Sequence, residues 1–270
     1  MATRPSGVSA VHSGESNFAR LLRTWRKDHG LTLKTAAKRS NVSSQALWLL
    51  ESRNHIPTLP IISAVLDGLR VHPWRRPAFL AQMPQQQLLN QLRWNLPKTV
   101  PPSDQVGLDQ IGDPACYHDP GFDLYAANSL FLEVFPGLEP PQPETIGRSN
   151  LLTYVVTDPR AKIAIRNWRQ RAAVMVDAFL TVAPGRIPEE RFDEIVAVCE
   201  QAPEFAELRA FKATDSDIFD QTIILRNPRR GRYENRSVVA WTPKYPPRPW
   251  DILILQSATD TDQDVEPLAP

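Results

Sequence analysis

Four helix-capping residues, Ser16, Thr32, Ser43 and Thr58, divide the stretch from residue 15 to residue 82 into a succession of short segments. Each carries a side-chain oxygen able to accept from a backbone N–H left open at a helix start. After Ser16, Phe18, Leu21, Leu22 and Trp25 recur at i, i+3, i+4 and i+7 and form one apolar face. Gly30 ends that helix, because glycine accepts the left-handed backbone of a helix stop. Thr32 opens a second helix to about Arg39, with Ala36 and Ala37 small enough for close packing. Asn41 tolerates left-handed backbone and fits the turn that follows. Ser43 caps a third helix with Leu47 and Leu50 inward. Thr58 caps a fourth with Leu59, Ile62, Val65, Leu66 and Leu69 inward, and a fifth is expected over Trp74 to Gln82.

Two short helices crossing at a fixed angle, joined by a tight turn, are what a helix-turn-helix requires. The second helix then enters the major groove while the first rests on the backbone. Charge agrees with that use. Residues 1–80 hold 12 Lys/Arg against 4 Asp/Glu, whereas residues 81–270 hold 19 against 26. A basic first part on an acidic body fits a polyanionic partner, here double-stranded DNA.

The run FARLLRTWRKDHGLTLKTAAKRSNVSSQALWLLES resembles the Xre/Cro-type helix-turn-helix family in order and spacing from Phe18 to Leu69. The resemblance implies that Ser44 and Gln45 begin the base-reading face and that Ser43 is a phosphate-contacting cap. It also implies that Arg26 and Glu51 form an ion pair between the first helix and the recognition helix. Gln45 is the strongest candidate for base readout, since its amide can bond adenine in two places. Thr32, Lys34, Lys38, Arg39 and Arg53, on or beside the two helices, are candidate DNA contacts, the basic ones to phosphates. Two positions depart from the family, which usually has polar residues where this chain has Leu33 and Leu49. Trp48 and Leu49 therefore have three open readings: contact with thymine methyls or DNA shape, contact with a protein partner, or burial.

Residues 83–112 read as a linker, with Gln85 to Gln87, Pro97, Pro101 and Pro102 and one helical stretch near Leu88 to Trp94. A hairpin follows: Ala115 to His118, the turn Asp119-Pro120-Gly121, then Phe122 to Ala126. Asn128 caps a helix through Phe135. Asp158-Pro159 starts a long helix whose apolar face carries Ile165, Trp168, Ala172, Met175, Val176 and Phe179. Pro188 and Pro203 open two more. Strands are expected over Ile218–Leu225, Tyr233–Trp241 and Asp251–Gln256. The first fourteen residues and the tail from Ser257 are expected to be disordered.

That order predicts a multidomain chain: an all-α helix-turn-helix unit followed, over 113–256, by an α+β unit with an antiparallel sheet. The runs PACYHDPGFDLYAANSLFLEVFPG, RSNLLTYVVTDPRAKIAIRNWRQRAA and QAPEFAELRAF, with the late strands, resemble the MmyB-like regulators, actinobacterial Xre-family proteins with a PAS-like ligand-binding domain. TDPRA and PEF are its distinctive parts. One departure is Phe211-Lys212, where the family usually has Trp with a His-Asp pair soon after. The resemblance implies a cavity suited to a fatty-acyl or similar small molecule, with Tyr117, Tyr125, Phe131, Phe135, Trp168 and Phe179 as candidate lining residues. Aromatics at such spacing also serve as plain core. A homodimer on paired half-sites is likewise implied.

Other chemistries lack support. His12, His29, His55, His72 and His118 do not stand at metal-ligand spacing with Cys116 and Cys199. No phosphate-loop or dinucleotide glycine pattern and no Gly-x-Ser-x-Gly elbow occurs. Glu189-Glu190 sit at a helix start, where the macrodipole favours them. No cofactor and no catalytic role are expected. Two cysteines, no signal-peptide core in the first fourteen residues and no membrane-length apolar run fit a cytoplasmic protein. The alternative function is a protein-interaction adaptor whose helix-turn-helix uses Trp48 and Leu49 to hold a partner.

Overall fold

A computed structural model describes residues 16–52, 58–72, 75–83, 99–140, 149–243 and 248–257. The chain forms two compact units, residues 1–86 and residues 87–270. The expected helix near Leu88–Trp94, and Trp74, lie outside the described residues, as do residues 1–14 and the tail beyond Ser257.

In the first unit, α1 (Asn17–Asp28), α2 (Leu33–Arg39), α3 (Ser44–Ser52), α4 (Leu59–Gly68) and α5 (Arg76–Ala81) surround one core. The caps explain the boundaries. Ser16 Oγ accepts from the N–H of Ala19 at 3.2 Å, Thr32 Oγ1 from that of Thr35 at 3.1 Å, and Ser43 Oγ from that of Ala46 at 3.0 Å. Gly30 (φ 64°) and Asn41 (φ 52°) take the left-handed conformation that lets α2 and α3 turn back on their neighbours. Phe18, Leu22, Ala36, Ala37, Leu47, Leu50, Ile62, Val65, Leu66, Leu69, Val71 and Phe79 are buried together. Gly68 supplies a close approach, because a Cβ there would lie 2.5 Å from Ser40 Cα.

The second unit is built on a five-stranded antiparallel sheet in the order β2-β1-β5-β4-β3. The strands are β1 (Ala115–His118), β2 (Leu124–Ala127), β3 (Thr222–Arg226), β4 (Tyr233–Trp241) and β5 (Asp251–Ser257). Helix α6 (Pro102–Asp109) precedes the sheet. Seven described helices separate β2 from β3: α7 (Ser129–Val134), α8 (Leu151–Thr157), α9 (Pro159–Ala164), α10 (Trp168–Val182), α11 (Glu189–Cys199), α12 (Phe205–Ala210) and α13 (Asp215–Phe219). The main core joins α7–α12 to Cys116, Ile223, Leu225 and Leu255 of the sheet. The opposite residues of β1 and β5, Ala115, Tyr117 and Ile254, pack in a smaller cluster with Leu108 and Trp250.

Buried asparagines tie the loops to this sheet. Asn128 caps α7 by accepting from Phe131 N–H at 3.0 Å, also accepts from Ala115 N–H at 3.1 Å, and donates to the carbonyl of Asp113 at 2.8 Å. Asn150 caps α8 and donates to the Gly121 carbonyl and to Asp123 Oδ1 at 2.7 and 2.9 Å. These bonds give the backbone groups of the connecting loops side-chain partners.

Four local readings differ from expectation. The helix from Asp158 is two helices, not one: it breaks at Ile165–Asn167, where Arg166 N–H donates to the Ile224 carbonyl (2.8 Å) and the Asn167 amide bonds Thr222 and Ile224. Edge strand β3 thereby gains partners along its outer side. Ile218 and Phe219 belong to α13 rather than to a strand, because Thr214 and Asp217 make a reciprocal capping box. The strand after the first hairpin starts at Leu124, since Phe122 turns at φ 66°. Pro102, expected in a linker, instead begins α6.

Candidate nucleic-acid interface

Helix α3 presents two faces. Leu47, Leu50 and Glu51 point inward and are buried, whereas Ser44, Gln45 and Trp48 are exposed and Leu49 is half-buried. The inward face is fixed by more than apolar contact. Arg26 of α1 donates through Nε to Glu51 Oε1 at 2.6 Å and through Nη2 to Oε2 at 2.7 Å. Its Nη1 donates to the Leu31 carbonyl at 2.8 Å, so one guanidinium holds the end of α1, the α1–α2 turn and α3. Both side chains are nearly inaccessible, at 10 and 4 % of their full exposure. The hydrogen bond that Arg26 donates to Glu51, aided by the carboxylate's charge and opposed by burial, holds Arg26 above its ordinary pKa. A bidentate pair so enclosed sets orientation as well as distance.

The other expected contacts surround this face. Thr32, Lys34, Lys38 and Arg39 are all exposed on α2 or at its start, and Ser43 is exposed at the start of α3. Ser43 accepts from Ala46, which leaves its hydroxyl hydrogen for an outside acceptor. Arg53 lies outside the described residues. Leu33 is half-buried and packs on the core, which accounts for an apolar residue there. Trp48 is 46 % exposed. Sequence reasoning missed the Trp25 indole N–H, which donates to the Leu69 carbonyl at 3.2 Å and closes α1 onto the end of α4.

In the second unit the six aromatic candidates separate. Phe131, Phe135, Trp168 and Phe179 lie in the main core; Tyr117 and Tyr125 pack in the smaller cluster with Trp250. Tyr117 donates to the Asp104 carbonyl, and Tyr125 to Asp119 Oδ2, both at 3.1 Å. Trp168 Nε1 donates to the Val155 carbonyl at 2.6 Å. A buried polar cluster at the hairpin tip was not foreseen. Asp119 accepts from Gly121 and Asp123 N–H, while Asp123 accepts from Asn150 and from Arg191 Nη2 at 2.6 Å. Burial works against the Arg191 charge, but bonds to Asp123 and Glu194 outweigh it and raise the pKa. Burial pushes both thiols up, that of Cys199 to about 12, so neither is a ready nucleophile. Among the described residues no group of three or more His, Cys, Asp or Glu could hold a metal ion, and no helix is long and apolar enough to cross a membrane.

A helical unit with α3 held by a buried ion pair, ahead of a separate sheet-based unit, has the layout of a two-unit DNA-binding transcription regulator. Residues 17–79 match the model of a helix-turn-helix domain, and residues 100–267 match that of the MmyB-like transcription regulator ligand binding domain. The second match spans more than half of the chain, which therefore belongs to the MmyB-like transcription regulator family. No curated protein matches the chain.

Removing one partner of the Arg26–Glu51 pair strands a charge in the core. Glu51→Ala is expected to destabilise the first unit by about 3–5 kcal/mol, whereas the combined Arg26→Met and Glu51→Leu change restores most of that loss. Urea denaturation of the three proteins checks this; equal stability of the single and double variants contradicts it.

Proposed function

We propose that this regulator reads duplex DNA in a sequence-specific manner through the start of α3, with Gln45 and Ser44 at base edges. Thr32, Ser43, Lys34, Lys38, Arg39 and Arg53 contact the backbone, and Trp48 and Leu49 meet thymine methyls. The supporting observation is the Arg26–Glu51 pair, which holds α3 with Gln45 outward. Two copies act together on paired half-sites. The second unit binds an apolar small molecule of the fatty-acyl class among the main-core aromatics, and its occupancy regulates the DNA-bound state. This finer reading rests on the match to a ligand-binding family and on four clustered aromatics.

Base and backbone contacts fail differently. Gln45→Ala should cost roughly 1–3 kcal/mol on the preferred sequence and relax selectivity at one base pair, while Lys38→Ala should weaken all duplexes alike. Competition binding against single-base variants of a bound fragment checks this; a uniform loss from Gln45→Ala contradicts the assignment. The exposed Trp48 also favours a rival adaptor reading. Equal, salt-insensitive retention of the parent protein on DNA and on neutral resin would support that rival.

A bound acyl ligand stabilises only the folded unit, by about 2.7 kcal/mol at a hundredfold excess over its dissociation constant. Medium-chain fatty acids are therefore expected to raise the melting temperature of the full chain. Ala172→Phe, at a fully buried position of α10, should remove that shift. No shift across a range of chain lengths contradicts the acyl reading.

A further inference from the structure

The second unit is acidic overall but has two basic stretches, and in the first, residues 159–171, Arg160, Lys162, Arg169 and Arg171 are paired with Asp158, Glu204, Glu207 and Asp220. Residues 226–236, the β3–β4 hairpin, hold five arginines and one glutamate, while the remainder of residues 87–270 holds 14 Lys/Arg against 25 Asp/Glu. The hairpin apex is built, not loose. Asn227 Oδ1 accepts from the N–H groups of Arg229 and Arg230, both at 3.0 Å. Gly231, at φ 68°, donates to the Asn227 carbonyl at 2.8 Å, and Asn227 N–H donates to the Arg232 carbonyl at 2.7 Å. This turn places Arg229 and Arg230 side by side at the tip, 66 and 63 % exposed.

Glu133, Asp113 and Glu234 take part of the hairpin's charge. Glu133 of α7 takes Arg229 in a two-pronged pair at 2.6 and 2.8 Å. Asp113 takes Arg236 at 2.8 Å. Glu234 faces Arg230 at 3.3 Å, Arg232 at 3.6 Å and Arg236 at 3.4 Å, and it also accepts from Asn227. Arg226 is exposed and has no ion pair among the described residues. Unbalanced positive charge held at the end of a stiff two-stranded ribbon costs self-repulsion and does nothing for the core. It is what a ribbon that lies along a phosphodiester backbone requires, since guanidinium groups match phosphate oxygens and stay charged.

We propose that the β3–β4 hairpin is a second DNA-contacting element, binding backbone phosphates through Arg226 and Arg230 without reading sequence. The proposal rests on the DNA-binding reading of the first unit, because a contact tethered to a bound reading head forms at high effective concentration. A groove of about 210 Å³ between the hairpin and α7, lined by Arg226, Arg229, Arg230, Leu130 and Val134, could instead hold a small free anion. The test below distinguishes these two sources of negative charge.

The full-length protein is titrated onto a 40-base-pair duplex of mixed sequence from low to moderate salt, and the slope of log affinity against log salt is read. Each backbone contact contributes about 0.9 to that slope. The Arg226→Ala/Arg230→Ala variant should lower it by about 1.8, and Arg226→Lys/Arg230→Lys should keep it near the parent value. Lys38→Ala, in the first unit, should lower it by about 0.9 in either background. Unchanged melting temperatures identify folded variants, as expected for side chains so exposed. A double-alanine slope equal to the parent's, with Lys38→Ala still effective, overturns the hairpin contact and leaves the recognition helix standing. A parent that shows no salt-dependent binding overturns both readings. Equal slopes together with a melting shift induced by inorganic phosphate, in the parent but not in the double-alanine variant, assign the groove to a free anion and also overturn the proposal.

Discussion

The buried Arg26–Glu51 pair is the interaction on which the orientation of helix α3 depends. Helix α3 is nine residues long, too short to hold its own conformation or direction in water. Leu47 and Leu50 give it an inward face, but apolar contact has no direction and allows rotation. The two parallel bonds between guanidinium and carboxylate remove that freedom, and the third bond, to the Leu31 carbonyl, brings the α1–α2 turn into the same arrangement. An enclosed ion pair is weak evidence for stability, because apolar residues of the same volume can do as well. Its use here is orientation. With Glu51 held, Ser44 and Gln45 face outward at the start of the helix.

The second unit depends on a comparable device with neutral groups. Its sheet is assembled from strands far apart in sequence, β1 lying between β2 and β5. Loops crossing such a sheet carry backbone groups that need partners. Asn128 and Asn150 supply them at the two places where the chain leaves the sheet side for a helix. The aromatic residues then fill two separate cores on either side of β1.

What was legible in the sequence was local. Ser16, Thr32 and Ser43 cap the helices they precede, and Asn41 turns left-handed between α2 and α3, because each feature depends on a few neighbouring residues. The Arg26–Glu51 pair, 25 residues apart, was legible only through the family resemblance. The break at Ile165–Asn167 was not legible. The apolar period continues through it, and its cause is an edge strand some 55 residues further on. Ile218 and Phe219 are good strand formers, yet the Thr214–Asp217 capping box decides their state; that signal was present and local. The division of the six aromatics between two cores depends on strand register, which spacing alone does not give.

Selection from a random duplex library tests the central claim most directly. The full-length protein is incubated with the library at physiological salt, and retained duplexes are sequenced over successive rounds. The proposed reading by α3 with Gln45 outward, and the proposed pairing of two copies, predict enrichment of one motif repeated in two half-sites about 10 base pairs apart, or a multiple of that spacing. Retained duplexes with no base enriched at any position would contradict the account, leaving a basic surface that binds DNA without reading it.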